Sequence, residues 1–339
     1  MDPPKAVYDQ QKKNAELLRR RLKFPVLHGY KLPPKVDLRR WMTKIHDQGD
    51  MGSCVANAVA GALEYLYRRY SRQDVNISRL FIDFNARLSN INWTTNQNFF
   101  IDPEDPGDTF DTNRQAAVRG VQQYGFCSES LWPYDRSLYM RVPAKKAYED
   151  ASRRSIIPLK VPINITSVKT CLAHDIPVLV GISISTDEAY HNRGWVQIPE
   201  VPPTEGLHAC LVVGYDDRTR HFIIRNSWGA EWGDKGYCYL PYEYLIDRRL
   251  VATADSFWAI AQILPRKQEF TIFVMFWERQ KALVREIKTT KDFIDYSDTM
   301  EVLSATASKL TTRVSLYKNH QSINYEWAYS FEILNNLNL

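Results

Sequence analysis

The stretch QGDMGSCVANAVAGALEYLYRRY (48–70) decides how this chain is organised. A turn containing Gly49 and Gly52 leads into Cys54, where a strong helical pattern begins. Ala58, Ala62, Tyr65 and Leu66 recur at i, i+4, i+7 and i+8, and the small residues near the start allow close packing of this helix against neighbours. A cysteine therefore stands at the N-terminal end of a long, buried helix. Such an end is electropositive, which favours a thiolate over a thiol.

Outward from this helix the texture changes twice. On its N-terminal side, residues 5–23 read as a polar, basic helix with a weak apolar stripe (Ala15, Leu18, Leu22), ended by Pro25 and Pro33-Pro34, which lead into an extended segment. On its C-terminal side, residues 90–110 are a polar, Asn-, Asp- and Pro-rich loop, and Thr112–Tyr124 is helical again. From about residue 156, short β-rich runs follow: IPVLVGISIS (176–185), HACLVVGYDD (208–217), HFIIRNSW (221–228) and GYCYLP (236–241). The pattern predicts an α+β protein in which a helical lobe (32–155) faces an antiparallel β-barrel lobe (156–264) across a cleft. A basic arm (1–31) precedes them, and an extension (265–339) opening on the apolar run EFTIFVMFWE follows.

Composition narrows the function. With 44% hydrophobic and 24% charged residues in 339, the chain is an ordinary globular sequence. No apolar run approaches the ~18 residues needed to span a membrane. The net charge of +5 is unevenly placed: residues 1–35 hold nine Lys/Arg against three acids, leaving the remainder at −1. A nucleic-acid binder more often spreads its basic face through the fold, so no nucleic-acid partner is expected. Five cysteines (54, 127, 171, 210, 238) form no dense framework. Together with the lack of an apolar leader, this points to an intracellular rather than a secreted protein. No metal or cofactor is expected. Six of the seven histidines (28, 46, 174, 191, 221, 320) read as surface or packing residues, and Cys171, Cys210 and Cys238 as core.

Nucleophilic chemistry at Cys54 needs a base, a group to orient that base, and donors for an oxyanion. GLHACLVVGY (206–215) supplies His208 and IIRNSWGAEWGDKGY (223–237) supplies Asn226, whose side chain can accept an imidazole N–H. Gln48, in the turn before Cys54, can supply a side-chain amide beside the backbone N–H at the helix start.

These segments, Gln-x-x-x-Gly-Ser-Cys, His-Ala with an apolar run and Gly-Tyr, and Asn-Ser-Trp-Gly-x-x-Trp-Gly-x-x-Gly-Tyr, resemble the papain-like cysteine peptidases. LPPKVDLR (32–39) resembles the start of the mature chain in that family, and the likeness covers about residues 32–264. His208 and Asn226 follow Cys54 by 154 and 172 residues, somewhat longer than the family's usual ≈130–150. The resemblance implies a papain-like two-lobed fold with Cys54 as nucleophile, His208 as base and acid, and Asn226 as its orienting residue. It makes Gln48 and the Cys54 amide the oxyanion hole, and Trp228 a shield over the His–Asn bond. Gly107 (in Asp-Pro-Gly-Asp), Gly181 and Leu207 are the substrate-binding candidates, with Gly181 hinting at a roomy pocket. Met51 replaces a family cysteine and the usual disulfide cysteines are missing, as in bacterial- and viral-type relatives that share Gly-Ser-Cys-x-Ala-Asn-Ala.

The implied function is a thiol protease acting on peptide or protein substrates, with no occluding insertion that would mark an exopeptidase. Isopeptide cleavage of ubiquitin-like tags, or a catalytically silent papain-fold binding protein, are the alternatives. The family also implies a zymogen. The basic arm is then an inhibitory pro-segment lying in the cleft, or else a flexible tail.

Overall fold

The computed structural model describes residues 9–16, 31–90, 112–184, 192–203, 206–252, 257–265, 270–278 and 281–289. Helix α1 (residues 9–16) is the described piece of the basic arm. The helical half holds strand β1 (Lys35–Asp37) and helices α2 (Cys54–Ser71), α3 (Arg79–Asn90), α4 (Arg114–Tyr124) and α5 (Lys145–Ala151). The β half holds β2 (Arg154–Val161), helix α6 (Ile165–Ala173), β3 (Val178–Ser183), β4 (Leu207–Asp216), β5 (His221–Arg225), β6 (Tyr237–Pro241) and β7 (Phe257–Pro265). Strand order is β2-β7-β3-β4-β5-β6, antiparallel throughout, with β1 pairing β4 from outside that path.

The expected helical and β textures are both present, with two local exceptions. β1 comes from the segment assigned to the helical half, yet Val36 pairs with Tyr215 and ties it to the sheet. α6 interrupts the β-rich half. Its start is set by Asn164, whose Oδ1 accepts the Ser167 N–H at 2.8 Å, an N-cap that satisfies a donor left over at the helix end. α4 likewise begins one residue after Asn113, whose Oδ1 accepts from Ala116 N at 2.7 Å.

α2 is buried along thirteen consecutive residues, Val55 to Tyr67. Each fully enclosed Leu or Val on it contributes about 1.5–3 kcal/mol through removal from water. One face meets α3 and α4, and the other meets β3, β4 and β7. Gly61 permits that approach. A Cβ there would stand 3.2 Å from Nε of Arg225, the residue immediately before Asn226.

Polar side chains also run through this interface. Arg225 donates to the Thr43 carbonyl through Nη1 and to the Lys44 carbonyl through Nη2, both at 2.7 Å. The Thr43 hydroxyl donates to Glu64 Oε2 at 2.6 Å, and the His46 ring lies 3.3 Å from the same oxygen. Glu64, fully buried in mid-α2, also accepts the Ile77 N–H at 3.1 Å. His46 is thus a packing histidine, as its lack of motif context implied.

The arm helix α1 sits far from Cys54. Gln11 is buried and its Oε1 accepts the Ile263 N–H of β7 at 3.1 Å, while Asn14 Nδ2 donates to the Tyr70 hydroxyl at 3.2 Å. Tyr70 is in the last turn of α2, about 24 Å along the helix from Cys54. The rest of the arm, where a cleft-crossing segment was expected, lies outside the described residues. In the extension, β8 (Phe270–Glu278) and β9 (Lys281–Thr289) pair as a separate antiparallel hairpin.

Burial alone would raise the Glu64 carboxyl, but the hydrogen bond and charge of His46, then the Thr43 hydroxyl and Ile77 N–H, hold it below its ordinary 4.5. A carboxyl lowered by folding stabilises the protein above its unfolded value and loses that contribution as pH falls. The urea midpoint is therefore expected to drop as pH falls through and below the ordinary 4.5. Glu64→Gln should cost about 1–3 kcal/mol at neutral pH and flatten this slope. An unchanged slope would remove Glu64 as its source.

Candidate active site

The turn before α2 is held by partners from both halves. Gln48 N donates to the Ser227 carbonyl at 2.8 Å, Gly229 N donates to the His46 carbonyl at 3.1 Å, and Asp47 bridges to Trp228. Residues 46–48 and 227–229 thus run as a short antiparallel pair between the Cys54 turn and the Asn226 segment. From the helical side, the Tyr134 hydroxyl donates to the Gln48 carbonyl at 2.9 Å and shares a 2.5 Å bond with Ser53 Oγ. The Arg79 guanidinium lies 3.6 Å over the Tyr134 ring. Ser53, although it precedes the helix, makes no side-chain cap. Its hydroxyl is used by Tyr134 and by Asn57 Nδ2 at 3.1 Å instead.

Gln48 is buried with both ends of its amide engaged. The Ser227 hydroxyl donates to Oε1 at 2.7 Å, and Nε2 donates to the Met51 carbonyl at 3.1 Å. This fixes which end carries the donors: Oε1 faces Ser227, so the –NH₂ group, with a second N–H, faces the turn before Cys54. Ser227 was not singled out from sequence. Its signal was available in Asn-Ser-Trp, where a small hydroxyl residue separates two others that had been given roles.

His208 lies at the start of β4 and Asn226 just past the end of β5. Nε2 of His208 stands 2.7 Å from Asn226 Oδ1. An amide oxygen can only accept, so Nε2 carries the proton and Nδ1 is the ring's basic nitrogen. Asn226 is itself set by its backbone: its N–H donates to the Gly236 carbonyl at 3.0 Å, and Oδ1 also accepts the Ser227 N–H at 2.8 Å. The Trp228 ring stacks on His208 at 4.4 Å between centroids and 30° between planes. Trp232 in turn meets Trp228 edge-on at 5.1 Å. Burial pushes the His208 ring down to about 4, against the upward pull of the Asn226 hydrogen bond. A neutral ring at physiological pH can accept a proton.

The five cysteines separate by environment. None forms a disulfide. Cys127, Cys171, Cys210 and Cys238 are buried, and burial pushes all four thiols up, which makes them inert. Cys54, at the helix start, is only partly buried. Cys210 links the two halves of the site: its Sγ is 3.9 Å from Asn226 Oδ1, and Cys54 is close enough to add to its upward shift.

Of the remaining sequence candidates, Leu207 and Gly181 lie on the paired strands β4 and β3. Gly107 lies outside the described residues. Leu207, beside His208, is 61% exposed. Gly181 in β3 pairs with Ala209, but the space beside it is not open: the Arg114 guanidinium fills it. The roomy pocket expected there is a filled one. Among the described residues no group of three or more His, Cys, Asp or Glu is placed to hold a metal ion, and no helix is long and apolar enough to cross a membrane.

Comparison with known proteins meets this geometry from outside. The family described as "Papain family cysteine protease" matches residues 32–245. An uncharacterized peptidase C1-like protein, L477, of Acanthamoeba polyphaga mimivirus is 31% identical over 231 residues, covering 64% of this chain and 69% of that protein. Cathepsin K of Gallus gallus is 34% identical over 216 residues, 61% of this chain and 58% of its own. Among solved structures, xylellain, a cysteine protease from Xylella fastidiosa, superposes with a TM-score of 0.55 at 31% identity, covering 77% of this chain and 90% of that one. The viral and bacterial likenesses agree with the branch indicated by Met51 and the Gly-Ser-Cys-x-Ala-Asn-Ala run. The chain belongs to the papain family of cysteine proteases.

Proposed function

We propose that this thiol protease hydrolyses peptide bonds through Cys54, His208 and Asn226, with Gln48 and the Cys54 backbone N–H receiving the oxyanion. The observation that carries the reading is the 2.7 Å contact between His208 Nε2 and Asn226 Oδ1, which leaves Nδ1 as the basic nitrogen. In this mechanism His208 Nδ1 takes the Cys54 proton as Sγ attacks the substrate carbonyl carbon, assisted by the positive end of α2. The carbonyl electrons move onto oxygen, which is met by the second N–H of Gln48, oriented by the Ser227 hydroxyl. The C–N bond then breaks, the proton on His208 goes to the leaving amine, and a thioester remains on Cys54. His208 next removes a proton from water, whose oxygen attacks the thioester. Collapse releases the acid and returns the proton to sulfur. Trp228, stacked on the ring, keeps bulk water from the His208–Asn226 bond.

Cys54→Ala is expected to abolish peptide hydrolysis and labelling by a thiol-directed epoxide while leaving thermal unfolding intact. Hydrolysis or labelling that survives would take the role away from Cys54. A folded wild-type protein that neither cleaves peptides nor takes the label would instead be the catalytically silent binder.

Asn226→Ala should reduce kcat/KM roughly ten- to a hundredfold, less than the roughly 10²- to 10⁴-fold that a general base contributes as a whole. The pH profile supplies a second readout. His208 is protonated only below about 4, so the base is available above that value and the rate falls as pH drops through it. The Asn226 hydrogen bond raises that value, so its loss should move the acid limb to lower pH. A limb that stays in place or moves up would contradict the assignment.

A further inference from the structure

Tyr134 lies between α4 and α5, in the stretch LWPYD (131–135). Its hydroxyl meets the turn before Cys54 at two points, 2.9 Å from the Gln48 carbonyl and 2.5 Å from Ser53 Oγ. A carbonyl can only accept, so the single Tyr134 proton is committed to Gln48, and the proton in the shorter contact comes from Ser53. Ser53 Oγ in turn accepts from Asn57 Nδ2 at 3.1 Å. That amide is oriented by Arg79, whose Nη1 donates to Asn57 Oδ1 at 3.3 Å. The hydrogen bonds therefore all run one way, from Arg79 through Asn57, Ser53 and Tyr134 to the Gln48 carbonyl. Bonds aligned in such a chain polarise and strengthen one another. The turn's own bond to that carbonyl, from Met51 N, is long at 3.4 Å.

Tyr134 is itself held in place. Its N–H donates to Glu129 Oε1 at 3.0 Å, and the same oxygen takes a 3.0 Å bond from Arg79 Nη2. The Arg79 guanidinium covers the ring at 3.6 Å. Burial pushes the Tyr134 hydroxyl up, so it keeps its proton and stays a donor. What it joins are the two ends of one turn. Gln48 carries the side-chain amide, and Ser53 immediately precedes the Cys54 N–H. One hydroxyl thus governs the spacing between the two groups assigned to receive the oxyanion. Such donors work only if they are in place before the charge develops, and a displacement of about 1 Å can cost about a hundredfold in rate.

We propose that Tyr134 is a positioning residue for the oxyanion hole, its hydroxyl setting the distance between the Gln48 amide and the Cys54 N–H. It acts through Gln48 and Ser53 rather than on the substrate. This rests on the assignment of Gln48 and the Cys54 N–H made above. Attack at a carbonyl carbon puts charge on oxygen and so depends on Tyr134. Displacement by the same sulfur at a saturated carbon makes no oxyanion and does not.

The test compares the full-length wild type with Tyr134→Phe, which removes the hydroxyl and keeps the ring beneath Arg79. Three quantities are measured: kcat/KM on a fluorogenic peptide, the rate of Cys54 alkylation by iodoacetamide, and the inhibition constant of the matching peptide alcohol. In alkylation the sulfur bonds to the methylene carbon as iodide leaves, and the alcohol fills the cleft without reacting. The expected result is a fall in kcat/KM of about tenfold, less than the roughly 10²- to 10³-fold lost with an oxyanion donor itself, while the other two stay within about twofold. Ser53→Ala cuts the chain one link earlier and should show the same selective loss, so the test survives if Tyr134→Phe does not fold. In a Gln48→Ala background, Tyr134→Phe should cost less than in the wild type, because the two residues act as one unit. An unchanged kcat/KM in both single variants would overturn the proposal. So would a parallel fall in alkylation, which marks general distortion of the site, or an undiminished effect without Gln48. If Gln48→Ala alone leaves kcat/KM unchanged, the oxyanion assignment itself has failed, and that outcome is distinct from a Gln48 effect that Tyr134 does not share.

Discussion

Everything at this site depends on a three-residue backbone pairing between chain segments about 180 residues apart. Residues 46–48 and 227–229 exchange hydrogen bonds from Gln48 N to the Ser227 carbonyl and from Gly229 N to the His46 carbonyl. The first segment leads to Cys54, and the second follows Asn226 directly. In the proposed mechanism the nucleophile sits on a helix and the base on a sheet, with no shared element to fix their separation, and this pairing supplies one. The side chains follow the same logic: Ser227 orients the Gln48 amide, and the ring of Trp228 covers His208.

Behind that pairing the fold accepts polar groups where an apolar interface would be simpler. Arg225, Thr43, Glu64 and His46 are linked between α2 and β5, all buried or largely so. Buried charges add little net stability when paired and cost several kcal/mol when one partner is lost. Their value here is geometrical. Arg225 is the residue before Asn226, and its two bonds to the 43–44 backbone fix where β5 ends. The Arg225 side chain lying against Gly61 of α2 is part of the same arrangement.

The sequence carried much of this openly and concealed the rest for identifiable reasons. Cys54, His208 and Asn226 stand in long motifs, and α2 announced itself through spacing. The strands of the β half were legible as short runs between Gly and Pro. α6 was lost because ITSVKTCLA is short and rich in β-branched residues, and only its Asn164 cap marks a helix start. β1 was legible only as extended chain after Pro33-Pro34, because a three-residue strand has no period of its own to show its pairing. Arg114 was overlooked although the stripe of α4, extended one turn back, lands on it. The usual habit is to end an apolar stripe where a charge appears. Gly181 shows the complementary error, since a missing side chain reads as open space until its occupant is known.

The seat of α1 bears on the order of assembly. Its hydrogen bond from Ile263 spans 252 residues of chain. Synthesis runs from the N- to the C-terminal side, so α1 is made well before the strand that seats it. Until β7 has emerged, Gln11 has no seat. Contacts of such long separation close late and lengthen folding. Residues 9–16 thus complete the packing at the far end of α2 only after the segments bearing His208 and Asn226 have been made.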